Sequence, residues 1–216
     1  IRYLRMSRGL GDVYKRQFKC SRLMVRRLFY AFALSFLCIL PTGAKEVSVH
    51  TAKIAAPSGF RLAGPRMQPV VYVDADDALV VRKAAELFAS DIEAVTGAPA
   101  KVVTSLEGVK ECVIAGTADG CGLIRRLAKT GKIDLSPIEN GWERYHIKTV
   151  RHPLPGVSKA LVVVGSDRRG AAYGILSLSE KIGVSPWYWW ADVPVQKQQS
   201  LYIDCLLYTS DACRRL

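Results

Sequence analysis

The sequence has few of the residue patterns from which metal centres and covalent active sites are built. It holds three histidines and has no H-E-x-x-H or C-x-x-C spacing, so it lacks a local set of zinc ligands. It also lacks G-x-S-x-G, the strand–turn–helix segment that carries the nucleophile in α/β-hydrolases. These absences exclude the common zinc-enzyme and serine-hydrolase motifs, and we predict no metal site.

Phosphate-binding and calcium-binding loops are missing as well. Gly165 and Gly170 have P-loop spacing, but alanines occupy the two positions where Lys and Ser or Thr must bind phosphate and magnesium. The G-x-G-x-x-G of dinucleotide folds does not occur. The acidic segment 74–77 lacks the Gly and Glu of a calcium loop. We interpret it as the end of a strand followed by a helix cap at Asp76 or Asp77.

The positive charge is unevenly distributed along the chain. Lys and Arg number 31 against 19 Asp and Glu, a net charge of +12, but residues 1–44 contain nine of the basic residues and one acidic residue. Residues 45–204 therefore carry a net charge of only +3. Nucleic-acid binding needs a concentrated basic surface that displaces phosphate counterions, so we predict no nucleic-acid partner.

Long hydrophobic runs are absent, and the run at 28–40 has the layout of an export signal. It follows Met24 and two arginines and has 13 residues, about 20 Å of helix, too short for a hydrocarbon core of about 30 Å. Small residues then precede a possible cleavage point before Lys45. We predict a signal peptide over 24–44, a secreted or periplasmic product, and no stable membrane anchor after cleavage.

The two terminal segments resemble non-native sequence. Residues 1–23 contain YLRMSRGLGDVYKRQ, and residues 205–216 read CLLYTSDACRRL. Both resemble translated sequencing-adapter segments that recur at the edges of metagenomic genes. We expect the native sequence to lie within residues 24–204, truncated at its C-terminal side, with one domain over 45–204.

Cysteine is scarce within that domain. Four of the six cysteines fall in the terminal segments or the signal, which leaves Cys112 and Cys121. An exported protein permits a disulfide. However, one cysteine at the start of a strand and one at the start of the next helix should exceed the Cα separation of about 7 Å that a bridge allows. We expect two buried or half-buried thiols, with a bridge as the alternative.

Hydrophobic periodicity predicts an α/β (α+β) domain with a mixed β-sheet and two main helices. Apolar residues recur at helical spacing over 78–96 and 168–182, and Gly97 and Gly183 stand at the expected ends. The all-apolar CVIAG segment predicts a central strand, and the last two strands suit an antiparallel pair. The predicted strands are 47–50, 70–73, 101–104, 112–116, 141–150 and 160–164, and a short helix is predicted at 123–129.

The turn that opens the second main helix presents two arginines. Asp167 is predicted to cap this helix, and Arg168 and Arg169 follow it. A helix start with two arginines could contact an anion such as a carboxylate, from a substrate or a neighbouring domain. The alternative is a tight turn with arginines on its surface.

An aromatic cluster follows the same helix. Three of the four tryptophans lie within the four residues Trp187, Tyr188, Trp189 and Trp190. These rings could stack on sugars, or they could pack against a neighbouring domain. In extended chain, alternate side chains face opposite sides, so we expect Trp187 and Trp189 on one surface and Tyr188 and Trp190 on another. That arrangement favours an interdomain contact, with Tyr188, Trp189 or both exposed.

Four segments of the sequence resemble the N-terminal domain of glycoside hydrolase family 115. They are, in chain order, VYVDADDALVVRKAAELFASDIEAVTG, CVIAGTAD, ENGWERYHIKTV and VVVGSDRRGAAYGILSLSEKIGV with the adjoining SPWYWWADVPV. The resemblance covers roughly residues 45–204. The combination of the tryptophan cluster, the GSDRRG turn and the helix between them is specific.

The resemblance implies an accessory domain of an exported, inverting xylan α-1,2-glucuronidase that removes glucuronic acid or its 4-O-methyl ether. It implies a fold like the second domain of β-hexosaminidases, no organic cofactor, and a catalytic (β/α)8 barrel beyond residue 204. We therefore assign no catalytic residue within the chain, and glucuronoxylan or its oligosaccharides would bind through the missing barrel. The alternatives are a carbohydrate-binding module and an accessory domain of another glycosidase, such as a β-hexosaminidase.

Overall fold

The computed structural model describes residues 48–50, 59–65, 67–204 and 208–211. The predicted signal peptide and most of the two terminal segments lie outside the described residues. The elements are β1 (Ser48–His50), β2 (Phe60–Ala63), β3 (Val70–Val73), α1 (Leu79–Thr96), β4 (Lys101–Val103), β5 (Glu111–Thr117), α2 (Gly122–Lys129), β6 (Arg144–Arg151), β7 (Lys159–Gly165), α3 (Arg168–Lys181), α4 (Tyr188–Ala191), β8 (Leu201–Asp204) and β9 (Tyr208–Asp211).

A six-stranded mixed sheet organises these elements. Its spatial order is β4-β3-β5-β7-β6-β9. Strands β4, β3, β5 and β7 run parallel, and β6 is antiparallel to both β7 and β9. The α/β fold class with a mixed sheet and two main helices is thus confirmed, and so is the antiparallel pairing of β6 with β7.

The two central strands are apolar because helices or loops cover both of their faces. Every residue of β5 after Glu111 is buried, as is every residue of β7 after Lys159. Helices α1 and α3 pack on one face of the sheet, and α2 packs on the other. Parallel strands covered in this way read as continuous hydrophobic runs, which is why the central position of β5 could be predicted.

A second, three-stranded antiparallel sheet has the order β1-β8-β2. Its apolar residues join the core beneath α1 and α3, among them Phe60, Leu62, Leu201 and Ile203, none of which is more than 1% exposed. Strands β2 and β8 were not predicted from the sequence. The two strands pair with each other from opposite ends of the described chain, with Ala63 opposite Leu201, so their pairing has no local signature in the sequence.

The helix termini confirm one predicted cap and correct another. Asp167 caps α3, since its side chain accepts hydrogen bonds from the N–H groups of Arg169 and Gly170. Helix α1 has Ala78 at its N-cap and no side-chain cap there, so the cap predicted at Asp76 or Asp77 is wrong. The Asp77 carboxylate binds the end of β5 instead, through Thr117.

Cys112 and Cys121 are free and buried, as expected, and no bridge joins them. Burial raises the pKa of Cys112 to about 12, and burial is also the main reason that the pKa of Cys121 rises to about 11. Both thiols therefore stay protonated and unreactive at neutral pH. Among the helices that the structure describes, none combines the length and hydrophobicity needed to cross a bilayer.

Candidate functional site

The turn before α3 is held by the carboxylate of Asp167. Its Oδ1 accepts hydrogen bonds from the N–H groups of Arg169 (2.9 Å) and Gly170 (2.8 Å), and its Oδ2 accepts one from Glu143 (2.7 Å). Burial opposes ionisation of Asp167, but these three hydrogen bonds outweigh it and hold its pKa below the usual value. A carboxylate of the chain itself therefore binds the helix start where an external anion would otherwise bind.

Gly165 and Gly170 allow close packing around this turn. A Cβ on Gly165 would lie 2.0 Å from the backbone nitrogen of Ala171, and a Cβ on Gly170 would lie 2.4 Å from the carbonyl oxygen of Arg144. Two hydrogen bonds tie the turn to β6: Ser166 N–H donates to the Arg144 carbonyl (2.8 Å), and Arg144 N–H donates to Ser166 Oγ (3.0 Å). The P-loop-like spacing of these glycines thus serves backbone packing.

The two arginines predicted as anion contacts differ in their surroundings. Arg169 forms an ion pair with Glu143 at 2.9 Å, and it donates a hydrogen bond to the hydroxyl of Tyr173 at 3.2 Å. These two interactions raise the pKa of Arg169. Arg168 is exposed and has no ion pair with any described residue. Arg169 is engaged within the chain, and an outside contact at Arg168 stays a prediction.

The start of α2 is also occupied by a carboxylate of the chain. Asp74, directly after β3, accepts hydrogen bonds from Gly122 N–H at 2.8 Å and from Asp76 N–H at 3.2 Å. The connection after β3 leads to β4, on one side of the β3–β5 pair, and the connection after β5 leads to β6, on the other side. The two connections therefore diverge at the carboxyl ends of β3 and β5. Open α/β sheets commonly bind ligands in such a crevice. Here the Gly122 N–H that would face a ligand is already bound.

Asp77 fills the interior of the same crevice. It is 8% exposed and accepts hydrogen bonds from the N–H of Thr117 (2.8 Å) and from its hydroxyl (2.9 Å). A Cβ on Gly116 or Gly120 would lie within 3 Å of this carboxylate, so both glycines make room for it. The acidic segment therefore joins two strand ends. No group of three or more potential metal ligands occurs in the part of the chain that the structure describes.

The aromatic cluster forms one helical turn rather than extended chain. The N–H groups of Trp190 (3.1 Å) and Ala191 (2.8 Å) both donate to the carbonyl of Trp187. Ser185 opens the turn by accepting hydrogen bonds from Trp187 N–H at its hydroxyl and from Tyr188 N–H at its carbonyl. The expectation that alternate rings face two surfaces is therefore wrong, because it assumed an extended backbone.

Two of the aromatic side chains in this cluster are largely exposed to solvent, and a third is partly exposed. Trp187 is 65% exposed, Tyr188 37% and Trp190 84%, while the side chain of Trp189 lies outside the described residues. The exposure expected of Tyr188 is confirmed. Exposed aromatic side chains grouped in this way are typical of a surface that contacts a partner. We call Trp187, Tyr188 and Trp190 the aromatic turn.

Both ends of the segment that carries the aromatic turn are fixed to the core. On one side, Val184 is buried and donates its N–H to the carbonyl of Ser179 at 3.1 Å. On the other, Lys197 Nζ donates to the carbonyl of Ala94 at 2.6 Å, and Gln198 N–H donates to that of Val95 at 2.9 Å. The exposed rings thus project from a segment whose two ends are held by hydrogen bonds to the core.

Trp142 is a further exposed aromatic residue, which the sequence analysis did not single out. It is 84% exposed and lies just before β6, between Asn140 and Glu143, each of which has φ of +56°. A non-glycine residue in this left-handed region costs about 1–3 kcal/mol. Glu143 is held there by its contacts with Asp167 and Arg169. The signal in the sequence was a lone tryptophan in an otherwise polar segment.

Comparison with solved structures shows that this chain is similar to part of a glycoside hydrolase. No protein-family model matches the chain, and no curated protein matches it by sequence. In structure it is similar to BtGH115A, a family GH115 4-O-methyl-α-glucuronidase with specificity for decorated arabinogalactans, at 31% identity and a TM-score of 0.55. That match covers 69% of this chain and 18% of BtGH115A.

Two further matches are weaker. CpGH84D is 14% identical with a TM-score of 0.43, over 76% of this chain and 23% of that one. The N-acetyl-β-hexosaminidase of Streptomyces plicatus is 12% identical with a TM-score of 0.36, over 77% and 26%. The chain spans about a fifth to a quarter of the length of all three proteins.

Proposed function

We propose that this chain is an accessory domain of a larger GH115-type glycoside hydrolase and does not itself carry the catalytic centre. The observation that carries the proposal is the similarity to BtGH115A, which extends over most of this chain but only 18% of that enzyme. The chemistry of the described residues supports it. At the starts of α2 and α3, two of the places where an α/β sheet can bind an anion, the carboxylates of Asp74 and Asp167 occupy the site.

The larger enzyme is proposed to be an exported, inverting xylan α-1,2-glucuronidase that releases glucuronic acid or its 4-O-methyl ether. Its substrate would be glucuronoxylan or the derived oligosaccharides. Because BtGH115A acts on decorated arabinogalactans, that polysaccharide is the second substrate to test. An inverting mechanism needs two carboxyl groups about 6.5–9.5 Å apart, and we assign both to the barrel proposed to follow residue 204.

The aromatic turn is proposed to dock on that following domain. Interdomain and interprotein contacts concentrate Trp and Tyr at their buried centres, because large rings bury much area and lose little conformational entropy. Trp187 and Trp190 expose most of their surface in this chain, and the loop that carries them has fixed ends. The rings would therefore meet a partner without reorganisation of the accessory domain.

The gene itself provides the first test. The uninterrupted reading frame beyond codon 204 would be recovered and expressed, and its product assayed for uronic acid release from glucuronoxylan and for activity on N-acetylhexosaminides. We expect the longer protein to release uronic acid and the present chain alone to release none. A continuation without barrel-like βα repeats, or activity on hexosaminides only, would contradict the proposal.

A carbohydrate-binding module is the second candidate, and the exposure of Trp187 and Trp190 favours it. Its test is calorimetric titration of the chain with glucuronoxylan oligosaccharides, for the wild type and for the double variant W187A/W190A. Stacking of a sugar on an aromatic ring is worth about 0.5–2 kcal/mol per ring. If the chain is a carbohydrate-binding module, the double variant should therefore bind at least about fivefold more weakly than the wild type. If the aromatic turn is a docking surface, the two proteins should have equal affinities. Trp142→Ala is the matched control, since Trp142 is as exposed as Trp190.

A further inference from the structure

Two adjoining cavities open beside α2, at the carboxyl ends of β3 and β4. The larger, of about 340 Å³, has hydroxyl groups in its lining, from Tyr72, Thr104 and Ser105. The smaller, of about 230 Å³, is lined by Gly122, Arg125, Arg126 and Lys129. Gly122 and Arg126 line both cavities, so the two meet at these residues. We call this pair of cavities the α2 groove.

The basic side of the α2 groove is not neutralised by neighbouring acids. Helix α2 buries its leucines and isoleucine and exposes Arg125, Arg126 and Lys129. None of these three forms an ion pair with a described residue. Asp74 is the carboxylate in the lining, and its oxygens accept the backbone hydrogen bonds of Gly122 and of the 74–77 turn. The linings of the two cavities therefore contain three cations and one carboxylate, and that carboxylate is already hydrogen-bonded.

The other side of the α2 groove suits a hydroxylated ligand with apolar C–H faces. Burial, and next the charge of Asp74, raises the pKa of Tyr72 to about 12, so its hydroxyl remains protonated at neutral pH. Thr104 and Ser105 are exposed and can donate or accept hydrogen bonds. The lining also includes Leu106 and Leu154, which offer apolar contact.

We propose that the α2 groove binds a carboxylated oligosaccharide, with a uronate carboxylate held by Arg126 and its neighbours and the sugar hydroxyls facing Tyr72, Thr104 and Ser105. Guanidinium groups bind carboxylates in a planar, two-point manner that suits this role. The Gly122 N–H, which a phosphate would need at the helix start, is already bound to Asp74. The choice of a uronate rests on the proposed function, whereas the anion-binding groove rests on the geometry alone.

The test is a titration of the full chain by calorimetry at low salt. The ligand is a xylo-oligosaccharide carrying one 4-O-methylglucuronic acid, compared with the unsubstituted oligosaccharide, inorganic phosphate and sulfate. We expect the substituted ligand to bind at least about tenfold more tightly than the others, since a hydrogen bond to a charged group is worth about 1.5–3 kcal/mol. Binding should weaken as salt is raised, because the cations are exposed.

Two variants locate the site. Arg126→Gln should reduce affinity for the substituted ligand about tenfold, on the same hydrogen-bond argument. Lys110→Gln removes an exposed cation just before β5, at the amino end of the strands rather than at their carboxyl ends, and should leave affinity unchanged. Thermal unfolding of both variants checks that they fold, which the exposure of both side chains favours.

Four results would overturn the inference: no binding by the wild type, equal affinity for the unsubstituted oligosaccharide, equal affinity for phosphate or sulfate, or equal losses in the two variants. None of them bears on the proposed function, which is decided by the activity of the longer protein. Conversely, if the longer protein lacked glucuronidase activity, that result would not contradict ligand binding measured at the α2 groove.

Discussion

At the scale of single residues, the buried imidazole of His146 is the most informative group. It is fully buried in β6, with Nδ1 3.1 Å from the carbonyl oxygen of Asp134 and no hydrogen-bond partner for Nε2 among the described residues. Burial lowers the pKa of His146, the hydrogen bond to Asp134 opposes this, and the charge of Lys148 adds to the lowering. At neutral pH the ring is therefore uncharged, and its Nδ1–H donates a hydrogen bond to the backbone carbonyl of Asp134.

We expect His146 to make stability depend on pH in the mildly acidic range. Because the unfolded chain binds this proton more tightly, the stabilisation is fully present above the ordinary His pKa of about 6.5 and declines as pH falls below it. The slope cannot exceed about 1.4 kcal/mol per pH unit for one proton. Urea unfolding at pH 7.5, 6.5 and 5.5 measures it.

The matched variants for this prediction are His146→Gln and His152→Asn. The first should flatten the pH dependence, whatever its effect on stability at pH 7.5. The second replaces an exposed histidine at φ +47°, a conformation that Asn tolerates, and should preserve the slope. A wild-type stability that is constant between pH 7.5 and 5.5 would refute the assignment.

At the scale of elements, the start of α3 depends on one side chain. Asp167 caps the helix and also binds Glu143 N–H, so it couples α3 to the loop before β6. We expect Asp167→Ala to reduce the free energy of unfolding by about 1–3 kcal/mol, from the lost cap and the unpaired loop N–H. Asp167→Asn should cost less, because its amide oxygen can still cap. Urea unfolding at pH 7 compares them.

The lowered pKa of Asp167 adds a pH signature to this prediction. A carboxylate whose folded pKa lies below its unfolded value stabilises the protein fully above about pH 4, and the stabilisation is lost as pH falls through the folded pKa. The Asp167→Asn variant should therefore lose less stability than the wild type between pH 5 and 2.5. Parallel losses in the two proteins would show that the carboxylate charge does not contribute.

At the scale of the whole molecule, the aromatic turn is the surface that we propose contacts the rest of the larger enzyme. In the chain alone, W187A/W190A should change stability by no more than about 0.5 kcal/mol, since both rings are exposed. In the longer protein the same change should remove a buried contact and destabilise the accessory domain by about 2 kcal/mol or more. Calorimetric unfolding of both forms measures this.

The control for that experiment is Trp142→Ala, which removes an equally exposed ring outside the aromatic turn. It should have little effect in either form of the protein. Equal destabilisation of the longer protein by both variants would argue against a docking role that is specific to Trp187 and Trp190. No destabilisation by either would leave the turn without a packing partner.

Several features of this chain could be predicted because they depend on local sequence patterns. Helical periodicity defined α1 and α3, a continuous apolar run defined β5, and Asp167 and Gly183 marked the ends of a helix. Each rests on neighbours within one or two turns or within one strand, so the backbone geometry and the local hydrophobic pattern suffice.

The contacts between residues that are distant in the chain could not be predicted in this way, because they form only when the whole domain folds. Asp77 accepts a hydrogen bond from Thr117, which lies 40 residues further along the chain, and Asp74 accepts one from Gly122, which lies 48 residues further. Neither pairing has a local signature in the sequence. The aromatic turn was misjudged for a related reason: whether four aromatic residues form a helical turn or a strand depends on where the flanking chain is anchored. Long-range hydrogen bonds and packing select among local conformations that are nearly equal in energy. The residues next to such a segment in the sequence therefore do not predict which conformation it adopts.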